Sequence, residues 1–361
     1  MAEEIHLESP VPLYRQMCDI LRKEIESQGL AAGTRLPTET ELAKRFGVSL
    51  ITVRGCVGEM VKDGLLVRRQ GRGTFVASRK PKQTQLVMAI VPDITDYCCA
   101  RLIVGIQAVT AQYGYELITG NSRDHAQTER NLLDRAFARN VEGLVIVTGR
   151  GAFANGYLVS NRLYIPLVVV DSYHPSVEAD FFYTNDVVGS HEATRHLIEA
   201  GYRRIGHLMG PKGHFLAELR LHGYRRAMRE AGITVESNWI VEAGTTAEAG
   251  HKALTALLRQ DLTIDAAFAY NDMVAVGAMR ALAELGRRVP QDFGVAGYGN
   301  HVIAAYTHPP LTTVDPDLEG VGRRVGQRLL ARIRDEVRGG ELVKEILPVR
   351  LVVGGSARSL S

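Results

Sequence analysis

Apolar residues at the start of the chain recur at helical spacing. Over residues 12–29, Leu13, Met17, Leu21 and Ile25 fall four apart and line one face of a helix. In "LPTETELAKRFGV", Thr38 and Glu41 form the T-x-x-E pattern of a capping box, so a second short helix starts there. Leu42, Ala43 and Phe46 give that helix its core face, and Gly47 ends it. Ser49 caps a third helix that runs to about Asp63, with Gly64 as its stop. Turned at ~100° per residue, this helix puts Val53, Val57, Met60, Val61 and Gly64 on its buried side. Ile51, Gly55, Gly58 and Lys62 fall opposite, with Leu50 and Arg54 on the flanks, so Ile51 is expected to point outward. Leu65 and Val67, then Thr74, Phe75 and Val76, read as two short strands around a turn at Gly71-Arg72-Gly73. Three helices and a hairpin make a winged helix-turn-helix.

The pattern changes after the polar, basic stretch "SRKPKQTQ". From residue 86, Val/Ile-rich runs alternate with segments of helix length: "LVMAIVPD", "YELITG", "GLVIVTG", "PLVVVD", "RRIGHLMG", "AAFAYND", "FGVAGYG" and "LPVRLVVGG". Such runs indicate an α/β fold of doubly wound parallel sheets with helices on both faces. The stretch is long for one such domain, so two α/β lobes facing a cleft are expected. The organisation read from the sequence is a winged helix-turn-helix over 1–78, a linker over 79–85, and a two-lobed domain over 86–361.

Charge sharpens the first part. The chain of 361 residues carries a net charge of +3, but residues 1–85 hold +4 and the remainder −1. Residues 44–82 alone hold +8, which suits an anionic partner or a solvated basic face equally. Gly55 and Gly58 each cost the helix ~1 kcal/mol of propensity. Small residues there let the backbone approach a DNA groove, or a dimer partner. In "RRQGRG", Arg68, Arg69 and Arg72 surround a glycine tip, and arginines suit narrow minor grooves.

Catalytic signatures are absent from the sequence. It holds no G-x-x-x-x-G-K-[ST], no G-x-G-x-x-G after the first strand, no G-x-S-x-G and no H-E-x-x-H. No catalytic residue, cofactor or metal site is expected. The four cysteines, Cys18, Cys56, Cys98 and Cys99, lack metal-ligand spacing and read as reduced thiols of a cytoplasmic protein. The acidic N-terminus is unlike a signal peptide, and no apolar run approaches ~18 residues, so no membrane partner is expected. Polar residues do stand where strands of the second part end: Asp93, Asp171, Asn271 with Asp272, and "GYGN" at 297–300. Small ligands bind at that edge of α/β sheets. For Asp272 the helix cap is the preferred reading, and for Cys98 and Cys99 it is core packing.

The stretch from "PLYRQMCDILRKEIESQGL" through "LPTETELAKRFGVSLITVRG" to "GLLVRRQGRGTFVA" resembles a GntR-type winged-helix domain over its full length. The resemblance implies DNA contacts from Ser49, Leu50, Ile51, Thr52 and Arg54. It also places Thr40 near phosphates, and Gln70, Gly71 and Arg72 in the wing beside Arg69. Many relatives carry Arg at the position of Leu50, and some at that of Thr40.

Residues 86–356 resemble the sugar-responsive LacI/GalR sensor domain. The resemblance runs through "NDVVGSHEATRHLIEAGYRRIGHLMGP", "AFAYNDMVAVGAMRALAELGRRVPQDFGVAGYGN" and "PPLTTVDPDLEGVGRRVGQRLL". It implies effector contacts from Arg220, whose fork suits two adjacent oxygens, and from Asn271 and Asp171. It also places His214 where a purine-binding relative has Arg. The usual "GYDN" reads "GYGN", with Gly299 in place of Asp. The frequent Phe-Phe is Cys98-Cys99, with Tyr97 alongside. The joined arrangement resembles the arabinose-repressor group. It implies a cytoplasmic, homodimeric repressor on a pseudo-palindromic operator in double-stranded DNA, tuned by a small sugar-like effector. The alternatives are a sugar-modifying enzyme with a DNA-binding arm, and a DNA-bound scaffold with a degenerate pocket.

Overall fold

A computed structural model of the chain describes residues 11–27, 30, 33–62, 64–69, 72–77, 84–147, 165–334, 336 and 342–358. The chain divides into two units, Met1–Thr84 and Gln85–Ser361.

The first unit holds α1 (Leu13–Ser27), α2 (Glu39–Phe46), α3 (Leu50–Lys62), β1 (Leu66–Arg69) and β2 (Gly73–Val76). Its turn chemistry is local. The Glu41 N–H donates to the Thr38 hydroxyl at 3.3 Å, and the Thr38 N–H donates to the Glu41 carboxylate at 2.7 Å. Two donors at the start of α2 are thereby satisfied. Gly47 closes α2 with φ 64°, and the Ser49 hydroxyl accepts the Thr52 N–H at 3.1 Å to open α3. The two caps lie two residues apart, which turns α3 sharply away from α2. Met17, Leu21, Leu42, Val53, Val57, Met60 and Leu66 form the core that all three helices share. Cys56 is fully buried with them, a position the helical periodicity had left unassigned. The hairpin pairs antiparallel from Leu66↔Val76 to Arg69↔Gly73, and Arg35 adds a bridge to Phe75.

The second unit contains twelve strands among the described residues. β3 (Leu86–Val91), β4 (Glu116–Asn121), β5 (Gly143–Val147), β6 (Leu167–Val170) and β7 (Asp180–Thr184) come first. β8 (Ile205–Met209), β9 (Ile240–Glu242), β10 (Ala266–Ala269), β11 (Gly294–Ala296), β12 (Thr313–Asp315), β13 (Lys344–Leu347) and β14 (Arg350–Val352) follow. One parallel sheet has the order β13-β7-β6-β5-β3-β4, a second has β11-β10-β8-β9, and β12 pairs antiparallel with β14. The helices are α4 (Tyr97–Gln112), α5 (Ala126–Ala138), α6 (Asp186–Glu199), α7 (Phe215–Glu230), α8 (Ala247–Gln260), α9 (Asp272–Glu284) and α10 (Leu318–Ile333).

In the first lobe, α4 and α10 cover one face of the six-stranded sheet through Leu102, Ile106, Val325 and Leu329. Leu133 and Ala136 of α5 pack on the other face, against Ile90, Ile146 and Phe181. Burial on both faces is why these strands are continuous apolar runs. The α4–α10 contact is backbone-close: a Cβ on Gly105 would lie 2.2 Å from the Glu319 carbonyl oxygen. The chain passes between the lobes three times, from β7 into α6, from β12 into α10, and from β13 into β14.

The expected single strand "LPVRLVVGG" is therefore two, split at Pro348 and Val349, one in each sheet system. β7, β9 and β12 were not picked out in the sequence. β7 opens on Asp180, a polar residue that reads as loop. The structure buries it fully and satisfies its carboxylate with Arg328 at 2.9 Å, Arg332 at 3.3 Å and the Val343 N–H at 2.8 Å. Gln85 already belongs to the second unit, its N–H donating to the Glu142 carboxylate at 2.7 Å.

Candidate functional site

In the first unit, the start of α3 presents apolar atoms to solvent. Ile51 is 81% exposed and Leu50 41%. A Cβ added at Gly55 or Gly58 would meet nothing within 4 Å, so no packing inside the unit requires either glycine. The Ser49 and Thr52 hydroxyls pair with each other at 2.9 Å and hold the cap. Arg54 Nε donates to the Glu39 carboxylate at 2.9 Å, and Arg68 Nη2 donates to its other oxygen at 3.0 Å. One acid on α2 thus sets the guanidinium groups of α3 and β1 side by side. Glu39 was missed in the sequence, where it stood only as a residue of the "LPTE" motif. Thr40 is exposed in the first turn of α2. The Arg69 guanidinium lies 5.1 Å over the Phe75 ring. Arg72 is exposed, and its N–H closes the turn to the Arg69 carbonyl at 2.9 Å. Gln70 and Gly71 lie outside the described residues.

In the second unit, residues at the C-terminal ends of both sheets meet across a cleft. Arg220, from α7, is buried there. Its Nε donates to Asp186 at 2.6 Å and its Nη1 to the Tyr270 carbonyl at 2.7 Å. Its guanidinium carbon sits 3.8 Å over the Tyr298 ring and 4.6 Å from that of Tyr270. Burial works against the charge, but Asp186 outweighs it and holds Arg220 firmly protonated. Asp186 also accepts the Thr184 hydroxyl at 2.6 Å. The family fork is therefore turned half inward, on its own lobe.

Asp171 follows β6 in the left-handed region, at φ 60°. Its carboxylate is half-buried and accepts no hydrogen bond from the described residues. Burial first, then Asp186, pushes it up to about 7, against the pull of Arg220.

Asn271 and Asp272 exchange the roles expected for them. Asn271 is the N-cap of α9: its Oδ1 accepts the Val274 N–H at 2.8 Å and its Nδ2 donates to the Thr245 carbonyl at 3.0 Å. Asp272 is not the cap. It is buried and accepts the His301 N–H at 2.6 Å and the Thr313 hydroxyl at 2.5 Å, so it ties down the turn after β11. Burial lifts its carboxyl to about 6, with those hydrogen bonds opposing. Gly299, in that turn, has φ 120°, a conformation that L side chains rarely adopt, and donates to the Val314 carbonyl at 2.8 Å. The backbone here thus favours glycine where relatives carry Asp.

From the other lobe, Tyr97 opens α4 and lays its ring on His301, with centroids 4.1 Å apart. His301 was not singled out in the sequence, because only the fold brings it to Tyr97. The neighbouring cysteines separate. Cys99 is buried among the residues beneath α4, as core packing implies. Cys98 is half-buried and faces Gly299, and burial, then Asp96, raises its thiol pKa, so it stays protonated. His214 precedes α7, edge-on to Tyr270 at 6.4 Å. Asp93 is exposed and spends one carboxylate oxygen on the Thr95 N–H and hydroxyl, at 2.9 and 2.8 Å. Among the described residues it makes no hydrogen bond or ion pair to Asp171 or Arg220. Among the described residues, no group of three or more His, Cys, Asp or Glu is placed to hold a metal ion. None of their helices is long and apolar enough to cross a membrane.

The family model for bacterial regulatory proteins of the gntR family matches residues 13–76, and that for a periplasmic binding protein-like domain matches residues 194–357. The chain is 28% identical over 297 residues to the HTH-type transcriptional repressor CytR of Escherichia coli (strain K12), covering 82% of this chain and 85% of that one. It is 31% identical over 258 residues to the ribose operon repressor of Haemophilus influenzae, covering 72% of this chain and 77% of the relative. The crystal structure of the transcription regulator CcpA of Lactococcus lactis matches with a TM-score of 0.69 at 25% identity, covering 76% of this chain and 99% of that one. All three are regulators rather than enzymes. With a winged helix-turn-helix reader in front and a two-lobed sensor behind, the chain belongs to the LacI-type family of transcriptional repressors and carries a gntR-type reader.

Proposed function

We propose that this repressor binds a pseudo-palindromic operator as a homodimer in the cytoplasm, and that a small sugar-like effector held between the lobes of the second unit changes its operator affinity. The observation that carries this reading is the pairing, in one chain, of an outward α3 start flanked by arginines with a cleft built around Arg220 and Asp171. Ile51, Thr52 and Arg54 face the bases, with Ser49 holding the cap, while Thr40, Arg69 and Arg72 serve the phosphates and the adjacent groove. The residues before Gln85 join the reader to the sensor.

Two copies related by a two-fold axis would present two readers to half-sites spaced by helical turns. An effector shifts that arrangement only as far as it binds one lobe geometry better than the other. The three chain crossings between the lobes are where such a difference would be absorbed. Release from the operator is the sign taken here, and tighter operator binding would make the effector a co-repressor.

The test is selection of bound fragments from random DNA with the full chain, followed by titration of the selected site with and without a sugar that stabilises the protein. A two-fold symmetric site whose affinity drops on sugar binding supports the reading. Failure to select any sequence sinks the repressor mechanism, and a bound sugar that leaves operator affinity unchanged sinks the effector half. Turnover of that sugar would favour the enzyme alternative.

A further inference from the structure

The first turn of α3 offers a partner more hydrocarbon than hydrogen bonds. Leu50 and Ile51, 41% and 81% exposed, stand outside both the core that the three helices share and the half-buried residues packed on it. The polar side chains around them are already engaged. The Ser49 and Thr52 hydroxyls pair at 2.9 Å, and the Thr52 N–H donates to Ser49 at 3.1 Å. Arg54, one turn beyond Ile51, is held through its Nε by Glu39 at 2.9 Å, and Glu39 brings Arg68 beside it. An apolar pair flanked by guanidinium groups suits a polyanion that also carries apolar groups, which is the major groove of a duplex. Gly55 and Gly58 follow Ile51 on the same stripe of the helix, so the depth at which α3 can settle there is set by Ile51 itself.

In the major groove a hydrocarbon side chain has one apolar group to recognise, the C5-methyl of thymine. Against the amino group of cytosine or adenine it displaces water and returns no hydrogen bond, so it also rejects those bases. Consecutive α-carbons are ~3.8 Å apart, close to the ~3.4 Å rise of one base step, so two neighbouring residues match two neighbouring base pairs.

We propose that Leu50 and Ile51 read the methyl groups of thymines in two adjacent base pairs of each operator half-site, on either strand. The inference rests on the operator reading above and names the bases that the start of α3 requires.

The experiment uses the full chain and the site selected from random DNA. Each thymine of a half-site is replaced in turn by uracil, which lacks only the methyl, and binding is followed by fluorescence anisotropy. Loss of one buried methyl should weaken binding about fourfold, at two adjacent base pairs. At those positions 5-methylcytosine should bind more tightly than cytosine, because it restores the methyl while keeping the amino group. Ile51→Ala and Leu50→Ala should each abolish the uracil effect at one of the two positions. Both side chains are exposed, and thermal unfolding checks that the variants fold as wild type does. A selected site in which uracil costs nothing overturns the proposal. So does a uracil effect that both alanine variants retain at both positions. Loss of self-association in either variant, seen by sedimentation, would make the pair a contact between copies of the chain and would overturn it too. If no site is selected at all, the repressor reading falls and this inference with it.

Discussion

Asp171→Asn should stabilise the second unit, and only above mildly acid pH. In the folded chain burial lifts the carboxyl from an ordinary 3.8 to about 7. A raised acid stabilises the fold while it stays protonated, so that contribution is present below pH ~4 and is lost as pH rises towards ~7. At pH 8 wild type therefore holds a carboxylate in a site that disfavours it. Three pKa units set an upper limit of ~4 kcal/mol, and the half-buried position argues for about 2–4 kcal/mol. The isosteric amide removes the charge, so the variant should gain that amount at pH 8 and only about 1 kcal/mol at pH 4.5. In a unit of this size the gain corresponds to roughly 5–10 °C in Tm. Trp239, the one tryptophan of the sequence, lies in the second unit, so its fluorescence follows that unit alone during urea or thermal unfolding. An equal effect at both pH values, or destabilisation at pH 8, would refute the reasoning. The other acids in this range, Asp272 and Glu129, are present in both proteins and cancel in the comparison.

Arg220→Ala should destabilise the second unit by about 3–5 kcal/mol, because it strands Asp186 without its partner. In a cycle of Arg220→Met, Asp186→Asn and the double variant, the double should lose much less than Arg220→Met alone, and unfolding of these three with wild type measures the coupling. Ile51→Ala should leave stability within about 0.5 kcal/mol, since the side chain is exposed. Its operator affinity should fall only on sites with a thymine methyl at the contacted position, as footprint titrations of methylated and uracil-substituted sites would register. Arg72→Ala should weaken operator and random DNA about equally and reduce the salt slope by ~1. An unchanged slope would remove the wing from the interface.

The first unit was nearly legible in the sequence because its determinants are local. The capping box at Thr38, the cap at Ser49, the glycine stop at Gly47 and the i, i+4 rows of α3 each act within a few residues, and periodicity alone placed Ile51 outward. What it missed there was Glu39, which is local in α2 but reaches Arg54 and Arg68 on two other elements. The parallel sheets of the second unit were legible as apolar runs, since burial on both faces leaves no alternation to confuse. β7 was not, because Asp180 is acceptable inside only through arginines nearly 150 residues away.

The sequence by itself determined a winged helix-turn-helix and a parallel α/β part through capping, periodicity and apolar runs, and its resemblance to GntR-type and LacI/GalR domains implied a reader and a sensor. The character of the cleft was decided by tertiary structure alone. Only the fold shows that Arg220 is turned onto Asp186, that Asn271 caps α9 while Asp272 holds a distant turn, and that Cys98 faces Gly299 while Cys99 is buried. It alone leaves Asp171 without a hydrogen-bond donor among the described residues. The physical reason is that hydrogen bonding and charge matching depend on distances of a few ångströms between residues far apart in the chain. Periodicity carries information only about which side of an element a residue faces.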